Sequence, residues 1–223
     1  MARLVLPPTV EPITVADVRL RLKYPRADQD AAISDWIASA RNAVERYVER
    51  GLMTQTWELN AHVSAGLTPA PAAHARPGPG AEATESHREH FTHNLTTLRT
   101  VGPLAVSAGE LGAVGFVDLP WAAPLQAIEA VTDATGLVPP TAYIVDDTIE
   151  PARLYWLQAP TGITTIRYRV GYGDEAGDVP ANLRQVIFAL VQQFFLYRAG
   201  PPPASALDAT LQHADGYRVR TFA

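Results

Sequence analysis

The sequence predicts a mixed α+β protein. A small α-helical bundle core, made of an N-terminal helix pair plus a C-terminal helix, carries a large inserted antiparallel β module and extended arms. Three observations carry this reading. A long amphipathic stretch beginning at Asp28 stops at Gly51 and runs directly into strand-like sequence. A second strongly apolar stretch, Val179–Arg198, is launched by Pro180, a residue suited to the first turn of a helix. The residues between them alternate or are rich in turn formers, with no sustained helical period. The expected organisation is therefore 12–51 with 179–199 as helical core, 52–178 as inserted β module with a long loop at 64–115, and 200–223 as a C-terminal arm.

Thr14-Val-Ala-Asp17 has the form of a capping box, in which a hydroxyl takes an orphan amide and an acid sits in the first turn. Val15, Val18 and Leu22 follow at helical spacing, and the helix should end before Pro25. Asp28 or Asp30 can cap the next helix, whose apolar set is Ile33, Trp36, Ile37, Ala40, Val44, Tyr47 and Val48. Gly51 is expected to supply the left-handed residue that ends it. Strand signals follow at 54–63, 95–101, 114–119, 126–133, 141–146, 152–157 and 163–170, enough for a small antiparallel sheet or barrel. Asp133-Ala-Thr-Gly136 and Pro160-Thr-Gly162 supply turn chemistry. Residues 64–94 are rich in Pro, Gly and Ala and have no core pattern.

The last helix presents Leu183, Val186, Ile187, Leu190, Val191, Phe194 and Tyr197 on one face, with Phe188 and Phe195 outside that stripe. Apolar residues on more than one side mean burial from more than one direction. The second cover is either the chain's own fold or another subunit, and in the latter case Phe188, Val191, Phe194, Phe195 and Tyr197 are the expected subunit-interface residues. After Pro201–Pro203 the tail shows no core pattern, yet it carries Leu211, Tyr217, Arg218, Val219, Arg220 and Phe222. Segments like this tail and the Pro/Gly-rich loop are expected to be held by neighbouring chains.

Composition narrows the function. A net charge of −5 argues against a dedicated nucleic-acid binder, which needs clustered Lys and Arg. The absence of cysteine excludes disulfides, thiolate metal sites and a thiol nucleophile. The N-terminal stretch, broken by Pro7 and Pro8, does not read as a signal peptide, and the apolar run Val186–Leu196 is too short to span a bilayer. No membrane partner is expected, and the reading is a soluble intracellular protein.

Candidate chemistry is sparse. His87, His90 and His93 recur every third residue, but the spacing fits no standard zinc motif, so solvated loop histidines are expected. Asp146-Asp147 at a strand end reads as a turn rather than a carboxylate pair. Gly171-Tyr-Gly173 is followed by Asp174 and Glu175, which would repel phosphate, so it reads as a flexible exit from a strand. Arg167, Arg169 and Arg184 are expected to pair with Asp174, Glu175 or Asp178. There is no nucleophile elbow, no phosphate-binding glycine loop and no metalloprotease motif. No enzyme activity, cofactor or metal is expected.

Several segments together carry a family resemblance: Pro12-Ile-Thr-Val-Ala-Asp-Val18; Asp28–Leu59 with Ala40-Arg41-x-x-Val44-Glu45-Arg46-Tyr47-x-x-Arg50; Leu119-Pro-Trp-Ala-Ala-Pro-Leu-Gln-Ala-Ile128; Tyr143-Ile-Val-Asp146; Ile166–Gly173; and Val179–Arg198. In their order and spacing the sequence resembles the head–tail connector (adaptor) proteins of long-tailed double-stranded DNA phages and of related gene transfer agents. Residues 64–115 depart from that pattern in length, and the resemblance says nothing of their role. It implies a structural virion neck protein, assembled in the host cytoplasm. Such a protein forms a ring of about twelve subunits beneath the portal. The ring would extend the DNA channel, meet the next neck or tail-completion protein, and let double-stranded DNA pass without sequence-specific binding. About twelve copies at this net charge sum to roughly −60, which suits a conduit that DNA does not stick to. Under this resemblance Leu211, Tyr217, Arg218, Arg220 and Phe222 become the expected portal-docking residues. The alternative class is a DNA-engaging packaging or regulatory factor of a phage, against which the acidic balance argues.

Overall fold

The computed structural model describes residues 2–62 and 115–219. Their strands are β1 (Ala2–Leu6), β2 (Gln55–His62), β3 (Gly115–Asp118), β4 (Leu125–Asp133), β5 (Gly136–Leu137), β6 (Tyr143–Asp146), β7 (Arg153–Trp156) and β8 (Ile163–Val170). The α-helices are α1 (Val15–Leu22), α2 (Asp30–Val48), α3 (Ala181–Leu196) and α4 (Ala204–Leu211). Five strands form one sheet in the order β1-β2-β8-β4-β5, and β3-β7-β6 form a second, antiparallel one. The chain is thus mixed α+β. The described residues divide into two compact units, one of residues 4–56, 121–126 and 169–219, the other of residues 2–3, 57–62, 115–120 and 127–168.

The first unit is helical. The α1 capping box forms as the sequence predicts, with the Asp17 amide donating to Thr14 Oγ1 at 3.1 Å and the Thr14 amide donating to Asp17 Oδ2 at 3.2 Å. The α2 caps differ from expectation. Gln29 holds the N-cap without a side-chain bond, because Asp28 accepts from the Tyr24 hydroxyl and Asp30 pairs with Arg19. At the other end Glu49, not Gly51, takes the left-handed conformation. Gly51 has a different reason to be glycine: a Cβ there would lie 2.7 Å from Val170 Cγ2 and 2.8 Å from Gln55 Nε2. Ile33, Ile37, Ala40, Val44 and Val48 of α2 bury at three- and four-residue spacing, as do Leu183, Val186, Ile187, Leu190 and Val191 of α3. Each large side chain removed from water here contributes roughly 1.5–3 kcal/mol, far more than helix propensity does.

The tail is the main departure. The sequence predicts an extended arm, but α4 and a 3-10 helix over Gln212–Tyr217 fold against the helical core, burying Thr210, Ala214 and Val219. The Val219 amide donates to the Val48 carbonyl at 3.0 Å. Pro203 starts the new helix rather than merely stopping the old one, and Leu207, Leu211 and Tyr217 give it an apolar side. The N-terminal strand β1 was also not anticipated, since its apolar run is only a few residues long.

The second unit is β-rich. Residues 115–118 and 143–146 each pair antiparallel with 153–156 in continuous register, from Gly115↔Trp156 to Asp118↔Arg153 and from Tyr143↔Trp156 to Asp146↔Arg153. Alternation along β8 buries Thr164, Ile166 and Tyr168 and turns Ile163, Thr165 and Arg167 outward. Burial raises the Tyr168 hydroxyl well above its ordinary pKa, and it donates to the Pro120 carbonyl at 2.7 Å. The two predicted turns brace each other. Asp133 accepts from the Thr135 amide at 2.7 Å and the Thr161 amide at 2.9 Å, while Gly136 and Gly162 take positive φ. These bonds hold the Asp133 carboxyl below its usual pKa, the Thr135 hydroxyl contributing most.

Candidate functional site

The feature of the helical unit best suited to contact another molecule is the C-terminal end of α3. Phe194 packs against the unit's own core. Phe195 sits edge-on to Tyr24 at 5.5 Å and to Trp36 at 6.1 Å, with the Arg198 guanidinium 5.1 Å from its ring. The hydrogen bond from Tyr24 to the Asp28 carboxylate raises the Tyr24 hydroxyl pKa. Beside this aromatic cluster, Leu196 is 66% and Tyr197 44% exposed. An aromatic cluster with bare Leu and Tyr at its rim is a surface that gains by being covered.

Of the five predicted interface residues, the structure therefore separates four from one. Val191 is 1% exposed within the chain's own core and has no surface left for a neighbour. It lies on the same turn as Ile187 and Leu190, where α3 faces α2. Phe188, Phe194 and Phe195 are partly buried, and Tyr197 is open. Leu196 was missed because sequence reasoning followed the buried stripe; its position between Phe195 and Tyr197, outside that stripe, was the available signal.

The predicted portal-docking set also divides. Leu211 and Tyr217 pack inward, against the helical core. Tyr47 donates from its hydroxyl to Asp215, and Arg50 Nε donates to the Tyr217 carbonyl. Gln193 Nε2 donates to the Ala206 carbonyl at 3.1 Å and to Thr210 Oγ1 at 2.6 Å. Arg218 remains exposed, its guanidinium 5.5 Å from the Tyr47 ring. Arg220 and Phe222 lie outside the described residues, as do His87, His90, His93 and most of the 64–115 loop.

The helical unit also buries charge. Arg41 Nη1 donates to Glu45 Oε2 and Arg41 Nε to Glu11 Oε2, both at 2.8 Å. Glu45 Oε1 accepts from the Leu52 amide at 2.9 Å and from Gln55 Nε2 at 3.1 Å. Burial pushes the Glu45 carboxyl above its ordinary pKa, against the opposing pull of Arg41. Both carboxylate oxygens of Glu45 are engaged, a structural clasp that ties α2 to the chain following it.

The other candidates resolve as turns and pairs. Asp146 accepts from the Thr148 amide at 2.9 Å and the Thr148 hydroxyl at 2.6 Å, the turn that the sequence predicts. Arg167 pairs with Glu129 at 3.1 Å, not with the acidic loop. Gly171 is pinned rather than a flexible exit: its amide donates to the Pro124 carbonyl, and a Cβ would come 2.3 Å from the Met53 carbonyl oxygen. Among the described residues no group of His, Cys, Asp and Glu is arranged to hold a metal, and no helix is long and apolar enough to cross a membrane.

The fold is shared with chains of solved gene transfer agent particles. The chain is similar over 100% of its length to 97% of a chain in the neck of an empty gene transfer agent particle solved with C6 symmetry, with a TM-score of 0.65 and 17% identity. It is similar at the same coverage to chains in the neck of the native particle solved with C12 symmetry, with a TM-score of 0.60 and 18% identity, and in the native virion, with 0.62 and 16%. At such identities the likeness establishes the fold. No protein-family model and no curated protein matches the chain.

Proposed function

We propose that this chain is a structural neck protein of a phage-like or gene transfer agent particle, without enzymatic activity. It forms a ring below the portal, extends the DNA channel and joins head to tail. Its partners are further copies of itself, the portal protein and the next neck or tail-completion protein, with double-stranded DNA passing through the lumen unread. Assembly takes place in the host cytoplasm, and the finished ring resides in the virion neck.

The observation that carries this reading is end-to-end similarity of fold to neck chains, at 100% coverage of this chain and 97% of theirs. The exposed apolar end of α3 supports it, since Leu196 and Tyr197 stand open among the described residues. Subunit contact is assigned to Phe195, Leu196 and Tyr197, and portal contact to Arg218, Arg220 and Phe222.

Electron microscopy of the purified chain, alone and mixed with portal-bearing heads, tests the proposal. Rings, or addition of the chain to the heads at the portal vertex, are expected. A monomer that neither closes into rings nor binds such heads, at any concentration tried, would overturn it.

A further inference from the structure

The neck reading, on which the following contact rests, requires a ring, and a ring of more than two copies cannot close through one self-complementary patch. Each copy needs two different surfaces, one for the neighbour ahead and one for the neighbour behind. The helical unit carries two that match in shape, apolarity and charge.

The first is the knob at the end of α3. Leu196 is 66% and Tyr197 44% exposed, and the exposed Arg198 follows them. Arg198 lies over the Phe195 ring and has no carboxylate partner among the described residues. The fields of Arg26 and Arg198 both reach the Tyr24 hydroxyl, which donates to the one carboxylate nearby, Asp28. The knob is apolar with a positive rim.

The second is a groove of about 470 Å³ beside the start of α3, with Pro12, Leu20 and Phe188 as its apolar lining. Leu20 is 81% exposed. The arginines of the lining are not on offer: Arg21 donates to Gln185 and lies over the Phe188 ring, and Arg184 Nε is buried. Ala176 forms part of the wall, and Glu175 and Asp178 on either side of it are exposed and in no ion pair among the described residues. The groove is apolar with a negative rim. Phe188 and Tyr197 are nine residues apart, about two and a half helical turns, so they point to opposite sides of α3. Surfaces on opposite sides suit a head-to-tail contact and not an isologous one.

We infer that the occupant of this groove is a second copy of the chain. Leu196 and Tyr197 of one copy cover Leu20 and Phe188 of the next, and Arg198 faces the Glu175 and Asp178 rim. Charge that is complementary across such a rim steers the encounter and fixes its register.

The chain has no cysteine, so introduced thiols are the sole ones. Leu20→Cys and Tyr197→Cys variants, both at exposed positions, are mixed in equal amounts, assembled as rings or on portal-bearing heads, and treated with a short bis-maleimide. This reagent bridges contacting side chains without demanding disulfide geometry. The mixture should give a cross-linked dimer holding one copy of each variant and nothing larger, while each variant alone stays monomeric on a denaturing gel. The yield should exceed by at least about tenfold that of an Ile163→Cys control paired with either variant, because neighbours in an assembly hold contacting groups at high effective concentration. Dimers from Tyr197→Cys alone would show an isologous contact and overturn the inference. So would a yield equal to the Ile163 control, or assemblies that form normally and give no cross-link; in both cases the neck reading stands. A chain that never assembles, with or without heads, removes the neck reading and this contact with it.

Discussion

Replacing Glu45 by alanine is the sharpest test of how the helical unit is held together. The carboxylate receives a guanidinium N–H at 2.8 Å, a backbone amide at 2.9 Å and a side-chain amide at 3.1 Å, all in the interior. Removing one partner of a buried ion pair costs roughly 3–5 kcal/mol. Arg41 keeps its bond to Glu11 at 2.8 Å, so the lower end, about 3 kcal/mol, is the reasoned value. For a chain of this size that corresponds to a fall of about 6–12 °C in Tm. Urea unfolding followed by tryptophan fluorescence reads it directly. A loss below about 1 kcal/mol would mean that water or rearrangement replaces the clasp, and the reasoning would fail.

The pH dependence gives an independent check on the same group. Because burial raises the Glu45 carboxyl above its ordinary value, the folded state binds that proton more tightly than the unfolded state does. The associated stability is fully present below the unfolded value, about 4.3, and fades as pH climbs through the raised one. Glu45→Gln cannot titrate, so wild type should lose ground to it as pH rises from about 4.3. The amide also mispairs with Arg41 or the Leu52 amide, which gives a constant offset; only the slope is diagnostic. An opposite slope would show that the Arg41 pairing, not burial, governs this carboxyl.

Three further outcomes follow from the same structure. Truncation after Gly200 should lower stability measurably in urea titration, by about 2 kcal/mol or more, since it strips the cover that Ala214 and Val219 give the core; an unchanged midpoint would mean the tail is only loosely attached. Gly171→Ala should abolish folding or cost several kcal/mol, because φ is +118° and the new Cβ would meet the Met53 carbonyl; a soluble variant with native circular dichroism and an unchanged midpoint would refute the close approach. Tyr197→Asp at an exposed position should change stability by less than about 0.5 kcal/mol while preventing ring closure in sedimentation and microscopy; normal rings would remove Tyr197 from the proposed subunit contact.

Much of the architecture was legible because it rests on periodicity. The α2 stripe from Ile33 to Val48, the α3 stripe from Leu183 to Val191, and the strands at 115–118, 125–133 and 163–170 are all written in spacing alone. The Thr14/Asp17 capping box and the Asp133 turn were legible for a different reason, since their chemistry closes within a few residues. What stayed hidden depends on distant partners. Nothing local to Ala204–Leu211 says that Gln193 will hold its carbonyl and hydroxyl, so three prolines and a short apolar set read as an arm. Gly51 resembled a helix terminator, and only the proximity of Val170 and Gln55 reveals why a side chain is excluded there.

The same separation of local from distant decides how the aromatic-rich α3 should be understood. An excess of apolar residues on a helix is explained either by its own fold or by another chain, and sequence cannot divide the two. In this structure the division falls along the helix axis. From Leu183 to Val191 the excess is absorbed internally, against α2 and the folded-back tail. Past Phe195, Leu196 and Tyr197 stand exposed among the described residues, beside a ring cluster already stiffened by Tyr24, Trp36 and Phe195. A preformed rigid surface loses little entropy when covered, so it suits a contact made identically many times. If subunits meet through α3, its last turn carries the contact, and substitutions at Val191 should unfold the chain before they disturb any ring.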